Sequence, residues 1–385
     1  MIKFKLKDRD KKTGVRTGIF SSSQNTFSTP ERTLVSTELN YQNGVKNLVR
    51  DLEYPNGAFV AQLKVDAKSL WTRDNDYYNS LVKQAKRYTS QIIKKTCILK
   101  VHLYVPRREM QADGRYKRKE IPLHKRSVDL SDEQKQRIIR SIVSLGHEAE
   151  FDGVCLPYTD RAFRLSPFYE NINTAHLYAL NQLNSGIEII PEVPHNDNID
   201  DFEKALYGFK DKYGEGVLSI PFKALKGYHF THMAVKNFSE KDESEKIGLL
   251  CADAPRKHPA KIVSHPHYTV LQGYDIVARE IPKYNFLRED GKTKDDKKAP
   301  EIYKFNRLKL SIDVFDKGLM FDTSKVDTLC PDFKKYTNKE LFREAVKSKA
   351  LDVVLKIMET FDSHKEMQDC RPYIASSDFN GYLKE

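Results

Sequence analysis

Six carboxylates lie at the ends of short apolar stretches of this chain, where buried strands would begin or end. They are Asp66, Asp160, Glu192, Asp253, Asp275 and Glu280. Carboxylates in such places can act as nucleophiles, as general acids or bases, or as acceptors for the N–H groups of a bound base. The pattern therefore points to acid–base or nucleophilic chemistry.

A basic stretch at residues 107–126 stands out from the rest of the chain. The chain carries 65 Lys+Arg against 54 Asp+Glu, a net charge of +11 and a pI near 9.1. This excess favours a polyanionic partner, although a lysine-rich composition alone is the alternative. We interpret the stretch as a loop that contacts phosphates of a nucleic acid, which predicts salt-dependent binding. Its basic residues are Arg107, Arg108, Arg115, Lys117, Arg118, Lys119, Lys125 and Arg126.

Metal, redox and membrane signals are weak. Five scattered cysteines without a Cys-x-x-Cys pair favour reduced thiols, and hence a cytoplasmic protein. His265 and His267 have no neighbouring carboxylates, so we interpret them as surface residues rather than metal ligands. No apolar run is long enough to cross a bilayer, and the basic N-terminus lacks the apolar core of a secretory signal. We expect no bound metal and no membrane partner.

The elements that would position the carboxylates recur at intervals of about 30 residues in the later part of the chain. Eight apolar stretches that suit buried strands lie at 29–37, 58–65, 97–105, 151–156, 187–193, 217–222, 247–252 and 274–278. Helical patterns separate most of them, and one opens with a capping box at Ser131 and Gln134. This alternation is typical of parallel βαβ units. We predict a (β/α)8 TIM-type barrel, with a doubly wound sheet as the alternative, disfavoured because no Gly-rich phosphate loop follows an early strand.

The last 85 residues or so break this rhythm. Alternating polar and apolar residues at 303–313 predict an antiparallel strand, and residues 339–361 predict a helix with one apolar side. We therefore divide the chain into a barrel with an N-terminal hairpin at 1–300 and a small strand-and-helix module at 301–385.

Three groups of residues, in the same order along the chain, resemble a known family. The first is Arg16-Thr17-Gly18 with a hairpin at 21–28 and Thr29-Pro30, and the second is Gly273, Asp275 and Pro282. The third is Cys330-Pro331, a Tyr-Thr-x-x-Glu-Leu helix start at 336–341, and His364. Together they resemble the tRNA-guanine transglycosylase superfamily, nearest to the branch that puts 7-deazaguanines into DNA.

The resemblance implies a base-exchange enzyme. Such an enzyme replaces guanine in a nucleic acid, here expected to be DNA, with a 7-deazaguanine base through a covalent glycosyl–enzyme intermediate. A guanine in duplex DNA must first be turned out of the stack. The alternatives are tRNA as the substrate, or a non-catalytic partner subunit that binds nucleic acid. A homodimer is a further expected form of assembly.

This chain departs from the family in three places. The family's Asp-Ser-Gly-Gly-Phe is absent, and residues 55–59, Pro-Asn-Gly-Ala-Phe, are the nearest match. The position of the family's nucleophilic Asp falls on Ala278. The zinc motif is reduced to Cys330 with the later His364, which is too few ligands for a four-coordinate zinc, so we expect no cofactor.

The six carboxylates take their expected roles from this comparison. Asp275 is the expected nucleophile and Glu280 its alternative, because residues 275 and 278 point to opposite faces of a strand whereas 280 shares the face of 278. Asp66 is the expected proton-transfer residue. A salt bridge for Asp275 and a helix N-cap for Asp66 are the structural alternatives. The remaining carboxylates are expected to bind the base: Asp160, Asp253 and Glu192.

Overall fold

A computed structural model gives the fold. It describes residues 2–36, 57–92, 95–110, 116–123, 129–160, 162–196, 198–225, 228–241, 244–254, 269–270, 272–279, 301–306, 311–316 and 364–382. Within these ranges the protein is a mixed α/β structure with parallel sheets, flanking helices and a small C-terminal helical part. This confirms the predicted α/β class.

The chain begins with a three-stranded antiparallel sheet made of β1 (Lys3–Arg9), β2 (Arg16–Ser21) and β3 (Thr26–Thr29). Its apolar face carries Phe4, Phe20 and Phe27, which contact one another through their rings. The sheet agrees with the hairpin expected at 21–28. Its aromatic face packs against the amino ends of the parallel strands. The packing is close at Gly248, where an added Cβ would lie only 2.3 Å from the Phe20 ring.

Two sheets of parallel strands follow. One has the order β5–β6–β7–β9–β10 and the other β11–β12–β13–β4. The strands are β4 (Glu31–Arg32), β5 (Leu34–Val35), β6 (Ala58–Asp66), β7 (Thr96–Met110), β9 (Gly153–Leu156), β10 (Glu188–Pro191), β11 (Gly216–Ser219), β12 (Ile247–Ala254) and β13 (Ile276–Arg279). Every one of the eight predicted apolar stretches overlaps one or two of these strands.

The two sheets are connected at both sides. On one side a single residue, Thr33, separates β4 from β5, so one extended segment pairs with β13 and then with β6. On the other side Glu192 and Ser219 form a parallel bridge just beyond β10. There the backbone N–H of Val193 donates to the carbonyl of Ser219 at 2.9 Å.

Helices lie between most pairs of successive parallel strands from β6 to β12. They are α1 (Ala67–Trp71), α2 (Asn75–Thr89), α3 (Asp132–Glu148), α4 (Leu165–Asn181), α5 (Ile199–Tyr213) and α6 (Tyr228–Ser239). The capping box predicted for α3 is confirmed, since Ser131 accepts from the backbone N–H of Gln134 and Gln134 reaches back to Ser131. Ile138 and Ile142, one turn apart on α3, are fully buried. Burial of each such side chain stabilises the fold by about 1.5–3 kcal/mol.

The parallel strands separate two apolar cores. The outer core lies between strands and helices and contains alternate strand residues such as Leu99 and Val101 together with helical residues such as Ile138. The inner core contains strand residues of both sheets and side chains of the N-terminal sheet, with no residue of a described helix. It consists of Ile2, Phe4, Phe20, Phe27, Val35, Ala58, Val60, Ile98, Cys155, Ile190, Val217, Leu250, Ala252, Ile276 and Ala278.

Composition had suggested a loop for the basic stretch at 107–126, but most of its described residues, at 107–110 and 116–123, lie in strands. β7 continues to Met110 and pairs with the antiparallel strand β8 (Tyr116–Pro122), from Tyr104 opposite Pro122 to Met110 opposite Tyr116. The error arose because a hairpin held by backbone hydrogen bonds needs no apolar alternation when it does not cover a core.

The C-terminal part includes an antiparallel hairpin and short helices. The predicted strand at 303–313 is confirmed in type, as β14 (Glu301–Asn306) pairs with β15 (Ser311–Asp316). Residues 364–369 are helical and precede α7 (Arg371–Ala375) and α8 (Phe379–Tyr382). These helices contact the N-terminal sheet, where Phe379 donates its backbone N–H to Asp10 at 2.9 Å. The predicted helix at 339–361 lies outside the described residues. None of the described helices is long and apolar enough to span a membrane.

Candidate functional site

The inner face of the parallel strands changes from apolar to polar toward their carboxyl ends. Along β6 the inner residues run from Val60 to Gln62, and along β7 from Ile98 to Lys100 and His102. Gln62 and Lys100 are opposite each other in the backbone register. In parallel α/β sheets ligands bind at the carboxyl ends of the strands. The polar inner residues therefore define the candidate site.

A buried ion pair lies at the centre of this site. Lys100, 4% exposed, pairs with Glu192, whose side chain is 20% exposed. Burial lowers the pKa of Lys100, while the nearby carboxylate of Asp253 acts against this shift. Cys155 is the backbone partner of Lys100, and its thiol is hydrogen-bonded to Ser219. Burial raises the pKa of Cys155 to about 11, so its thiol is neutral at physiological pH.

His102 lies two residues beyond Lys100 and therefore on the same face of β7. Burial, helped by the positive charges of Lys100 and Lys64, lowers the pKa of His102 to about 3. The imidazole is therefore neutral at physiological pH, and its Nε2 atom is buried without a hydrogen-bond partner among the described residues. A neutral imidazole can donate or accept one hydrogen bond at that atom, depending on its tautomer.

Gln62 connects its own strand, β6, to the carboxyl ends of three other strands. Its side-chain amide donates to the carbonyl of Ala252 at 2.8 Å and to that of Arg279 at 2.6 Å. Its backbone N–H donates to the hydroxyl of Ser36, which donates back to the carbonyl of Gln62, both at 3.2 Å. These bonds hold the carboxyl ends of β5, β6, β12 and β13 together.

Of the predicted base-binding carboxylates, the structure brings only Glu192 into contact with this cluster. Asp253 accepts a hydrogen bond from the backbone N–H of Phe222 at 2.8 Å, which ties two neighbouring strand ends together. Asp160 accepts from the ammonium of Lys135 at 2.7 Å and lies 3.7 Å from Arg164. Its other oxygen, Oδ2, is buried with no partner in the described part of the chain.

Asp66 caps a helix, as its structural alternative predicted. Its carboxylate accepts from the backbone N–H of Lys68 at 2.9 Å and from Ser69 at 3.4 Å, and it is the N-cap of α1. The backbone N–H of Asp66 donates to the hydroxyl of Tyr77 at 2.7 Å. Asp66 is the last residue of β6, so its carboxylate lies at the same carboxyl-end edge of the sheet as Gln62.

Asp275 lies at the opposite edge. It precedes β13, at the amino end of the strand, and its carboxylate is 2.5 Å from the guanidinium of Arg16. Both side chains are fully buried, and Asp275 also accepts from the backbone N–H of Leu249 at 2.8 Å. Burial raises the pKa of Asp275 to about 6, although Arg16 and Leu249 act against this shift. The structure thus gives Asp275 the salt bridge that was its structural alternative, and it does not bring Asp275 to Glu192.

The other candidate positions in and after β13 do not identify a nucleophile. Ala278 is fully buried in the inner core, so the position that matches the family's nucleophile carries no chemical group. Glu280, the alternative nucleophile, lies outside the described residues.

The residues matched to the family's zinc site are only partly described. His364 is buried and makes contacts through both ring nitrogens, with Glu31 at 3.2 Å and with Gln368 at 2.7 Å. Cys330 lies outside the described ranges. Within those ranges there is no group of three or more His, Cys, Asp or Glu side chains that could hold a metal ion.

The predicted nucleic-acid-binding residues fall largely on the β7–β8 hairpin. Arg107 is exposed, and its backbone is directly opposite Lys119, while Arg108 is opposite Arg118. Like charges placed opposite each other destabilise a hairpin unless an anion compensates them. Lys117 lies opposite Glu109. The other three predicted contacts lie outside the described residues: Arg115, Lys125 and Arg126.

Sequence reasoning missed Gln62, Lys100 and His102. The signal was present in two apolar strands, AFVAQLKVD and TCILKVHLY, where every second residue becomes polar in the second half. Period-two alternation places such residues on one face. Which face of the sheet these three residues occupy, and which residues they contact, depends on the strand pairing, and the sequence does not give that pairing.

No protein-family model matches this chain, and a search of curated proteins finds no match.

Proposed function

We propose that this protein is a base-exchange transglycosylase that acts on guanine in a nucleic acid, with DNA the favoured polymer and a 7-deazaguanine the incoming base. The observation that carries the proposal is the buried Lys100–Glu192 pair on the polar inner face at the carboxyl ends of the parallel strands. The order of motifs from Arg16-Thr17-Gly18 to His364, which resembles the transglycosylase superfamily, supplies the reaction class.

The scaffold we propose is a (β/α)8 barrel. The pairing β5–β6–β7–β9–β10 and the pairing β11–β12–β13–β4 would become one closed sheet through the continuous segment at Thr33 and the bridge between Glu192 and Ser219. An inner core that unites residues of both sheets supports this closure. In barrels of this kind the amino end is a packed core and the carboxyl end holds the site, which matches the change from Ile98 to Lys100 along β7.

Glu192 is the carboxylate that we place at the reacting sugar. Its oxygen would bond to C1′ as the C1′–N9 bond breaks, and the bonding electron pair would leave with N9 of the departing guanine. That base takes up one proton. The incoming base then attacks C1′ through its own nitrogen, releases the carboxylate and loses one proton, so the net exchange is balanced. Lys100, whose pKa burial lowers, suits the proton-transfer step. Glu280 remains the alternative nucleophile.

The β7–β8 hairpin is the proposed phosphate-binding element. It extends directly from the strand that carries Lys100, so a strand of nucleic acid bound along it would reach the candidate site. In the backbone register Arg107 is opposite Lys119 and Arg108 is opposite Arg118. These residues give the hairpin the positive charge that phosphate oxygens would neutralise.

The exchange reaction is testable directly. The full-length protein is incubated with labelled guanine and either duplex DNA or tRNA, and label in the precipitated polymer is counted. Glu192→Gln should lower the rate at least about 100-fold, whereas Glu133→Gln, a carboxylate on α3 that is 74% exposed, should leave it unchanged. The enzyme proposal fails if wild-type protein labels neither polymer, or if Glu192→Gln retains the full rate.

The hairpin is tested separately by DNA binding. Arg107→Gln should weaken binding and reduce the slope of log K against log salt by about 0.9 for one lost phosphate contact. Lys204→Gln, an exposed lysine on α5, is the matched control. An unchanged slope in Arg107→Gln contradicts the assignment.

A non-catalytic nucleic-acid-binding barrel is the second candidate. It is favoured by Ala278, which occupies the position matched to the family's nucleophile, and by the salt bridge between Asp275 and Arg16 at the amino ends of the strands. Under this reading DNA binding survives every substitution at Glu192, and no label enters either polymer with wild-type protein.

A further inference from the structure

Gln62 is the most deeply buried polar group of the inner face whose bonding is incomplete. The residue is 5% exposed. Its side-chain oxygen, Oε1, is buried and accepts no hydrogen bond from any residue in the described ranges. Buried polar atoms of native proteins nearly always have a partner, and an unmade bond costs about 1–3 kcal/mol. An unpaired acceptor in this place therefore points to a ligand.

The orientation of the Gln62 side chain is fixed by its surroundings. Its two amide hydrogens are both used, one toward the carbonyl of Ala252 and one toward that of Arg279. The flipped amide would place Oε1 against two carbonyl oxygens, which offer no hydrogen. Oε1 is therefore an acceptor that is held in one position before any ligand arrives. This preorganisation lowers the entropic cost of binding.

The described neighbours of Gln62 on the inner face leave Oε1 as an acceptor without a donor. Lys100 is its backbone partner on β7, and Glu192 pairs with Lys100. The inner residues across from it, Ala252 and Ala278, are small and apolar. A flat ring with an N–H group on its edge matches one fixed oxygen acceptor beside small side chains.

We propose that Gln62 is a specificity-determining residue whose Oε1 accepts a hydrogen bond from an N–H group on the edge of the bound base. The ligand class is a purine or 7-deazapurine with a lactam N–H and an amino group, as in guanine. This inference rests on the proposed function, because it names the residue that recognises the base in the same site.

Equilibrium binding of free bases to the full-length protein tests the proposal without requiring catalysis. The probes are guanine, 1-methylguanine, which lacks the ring N–H, and hypoxanthine, which lacks the amino group. Wild-type protein should bind guanine at least about 10-fold more tightly than one of the two analogues, the fold-change that corresponds to one hydrogen bond. Equal affinity for all three bases, or no binding of guanine, overturns the proposal.

The variant Gln62→Met keeps the length of the side chain and removes the acceptor together with the two amide donors to Ala252 and Arg279. It should bind guanine about 10- to 100-fold more weakly and lose the preference over the analogue, while Gln136→Met, an exposed glutamine on α3, retains both. A preference that persists in Gln62→Met refutes the role of Oε1. If Gln62→Met does not fold, Gln62→Asn, which is one methylene shorter, should show the same loss of preference.

The two proposals fail in different ways. Guanine binding that depends on Gln62 without transfer of label into a polymer would retain the recognition site and reject the exchange reaction. Transfer of label that Gln62→Met does not slow, with unchanged preference among bases, would retain the reaction and reject this residue.

Discussion

The substitution Asp275→Asn should destabilise the fold rather than remove a catalytic group. Asp275 and Arg16 lie 259 positions apart in sequence, and both side chains are fully buried. Asparagine keeps the shape of the side chain and removes its charge. The guanidinium of Arg16 would then remain buried without its anion.

The structure sets the size of the effect. Arg16 keeps neutral partners after the substitution, the hydroxyl of Ser244 at 2.9 Å and the carbonyl of Ile247 at 2.9 Å. These do not replace a charge in a site from which water is excluded. Removing one member of a buried ion pair costs about 3–5 kcal/mol, a large part of the total stability of about 5–15 kcal/mol of a typical protein.

Urea unfolding of wild-type, Asp275→Asn, Arg16→Met and the double variant gives the coupling between the two residues. The double variant should be more stable than either single variant, because no uncompensated charge remains. Asp211→Asn, an aspartate on α5 whose side chain is 70% exposed, is the control and should change stability by less than about 0.5 kcal/mol. A loss below about 1 kcal/mol in Asp275→Asn, with exchange activity abolished, would refute this reasoning and restore Asp275 as a catalytic candidate.

Three further predictions concern the site and its scaffold. Because the pKa of His102 is lowered to about 3, the native state binds fewer protons there than the unfolded chain below about pH 6.5. Stability should fall with falling pH in this range, and His102→Gln should reduce the slope, by up to about 1.4 kcal/mol per pH unit, in urea titrations at pH 4.5 and 6.5. Gly248→Ala should lower the melting temperature because its Cβ would approach the Phe20 ring to 2.3 Å, whereas Gly186→Ala, with no atom within 4 Å of the added Cβ, should not. Asp66→Ala should lose about 1 kcal/mol of stability by removing an N-cap, and Asp66→Ser should recover most of it.

Much of the fold was predictable because its signals are local. Eight apolar stretches each coincide with described parallel strands, since burial on both faces leaves an apolar run that is readable without knowledge of the partners. The capping box of Ser131 and Gln134 needs only four residues to form. The β7–β8 hairpin was missed because its residues at 107–110 and 116–120 are mostly polar in sequence, and its pairing depends on backbone hydrogen bonds that leave no pattern in side-chain type.

The α/β class, the strand positions and the placement of carboxylates at strand ends follow from residue patterns within single segments of the chain. Which of those carboxylates meet other chemical groups depends on how the strands pair. Glu192 meets Lys100 because β9 spaces β10 from β7 in the sheet, and Asp275 meets Arg16 because the N-terminal sheet packs against the amino ends of the parallel strands. The physical reason is that a residue's face follows from its own strand, whereas its partner follows from the order and register of the strands around it.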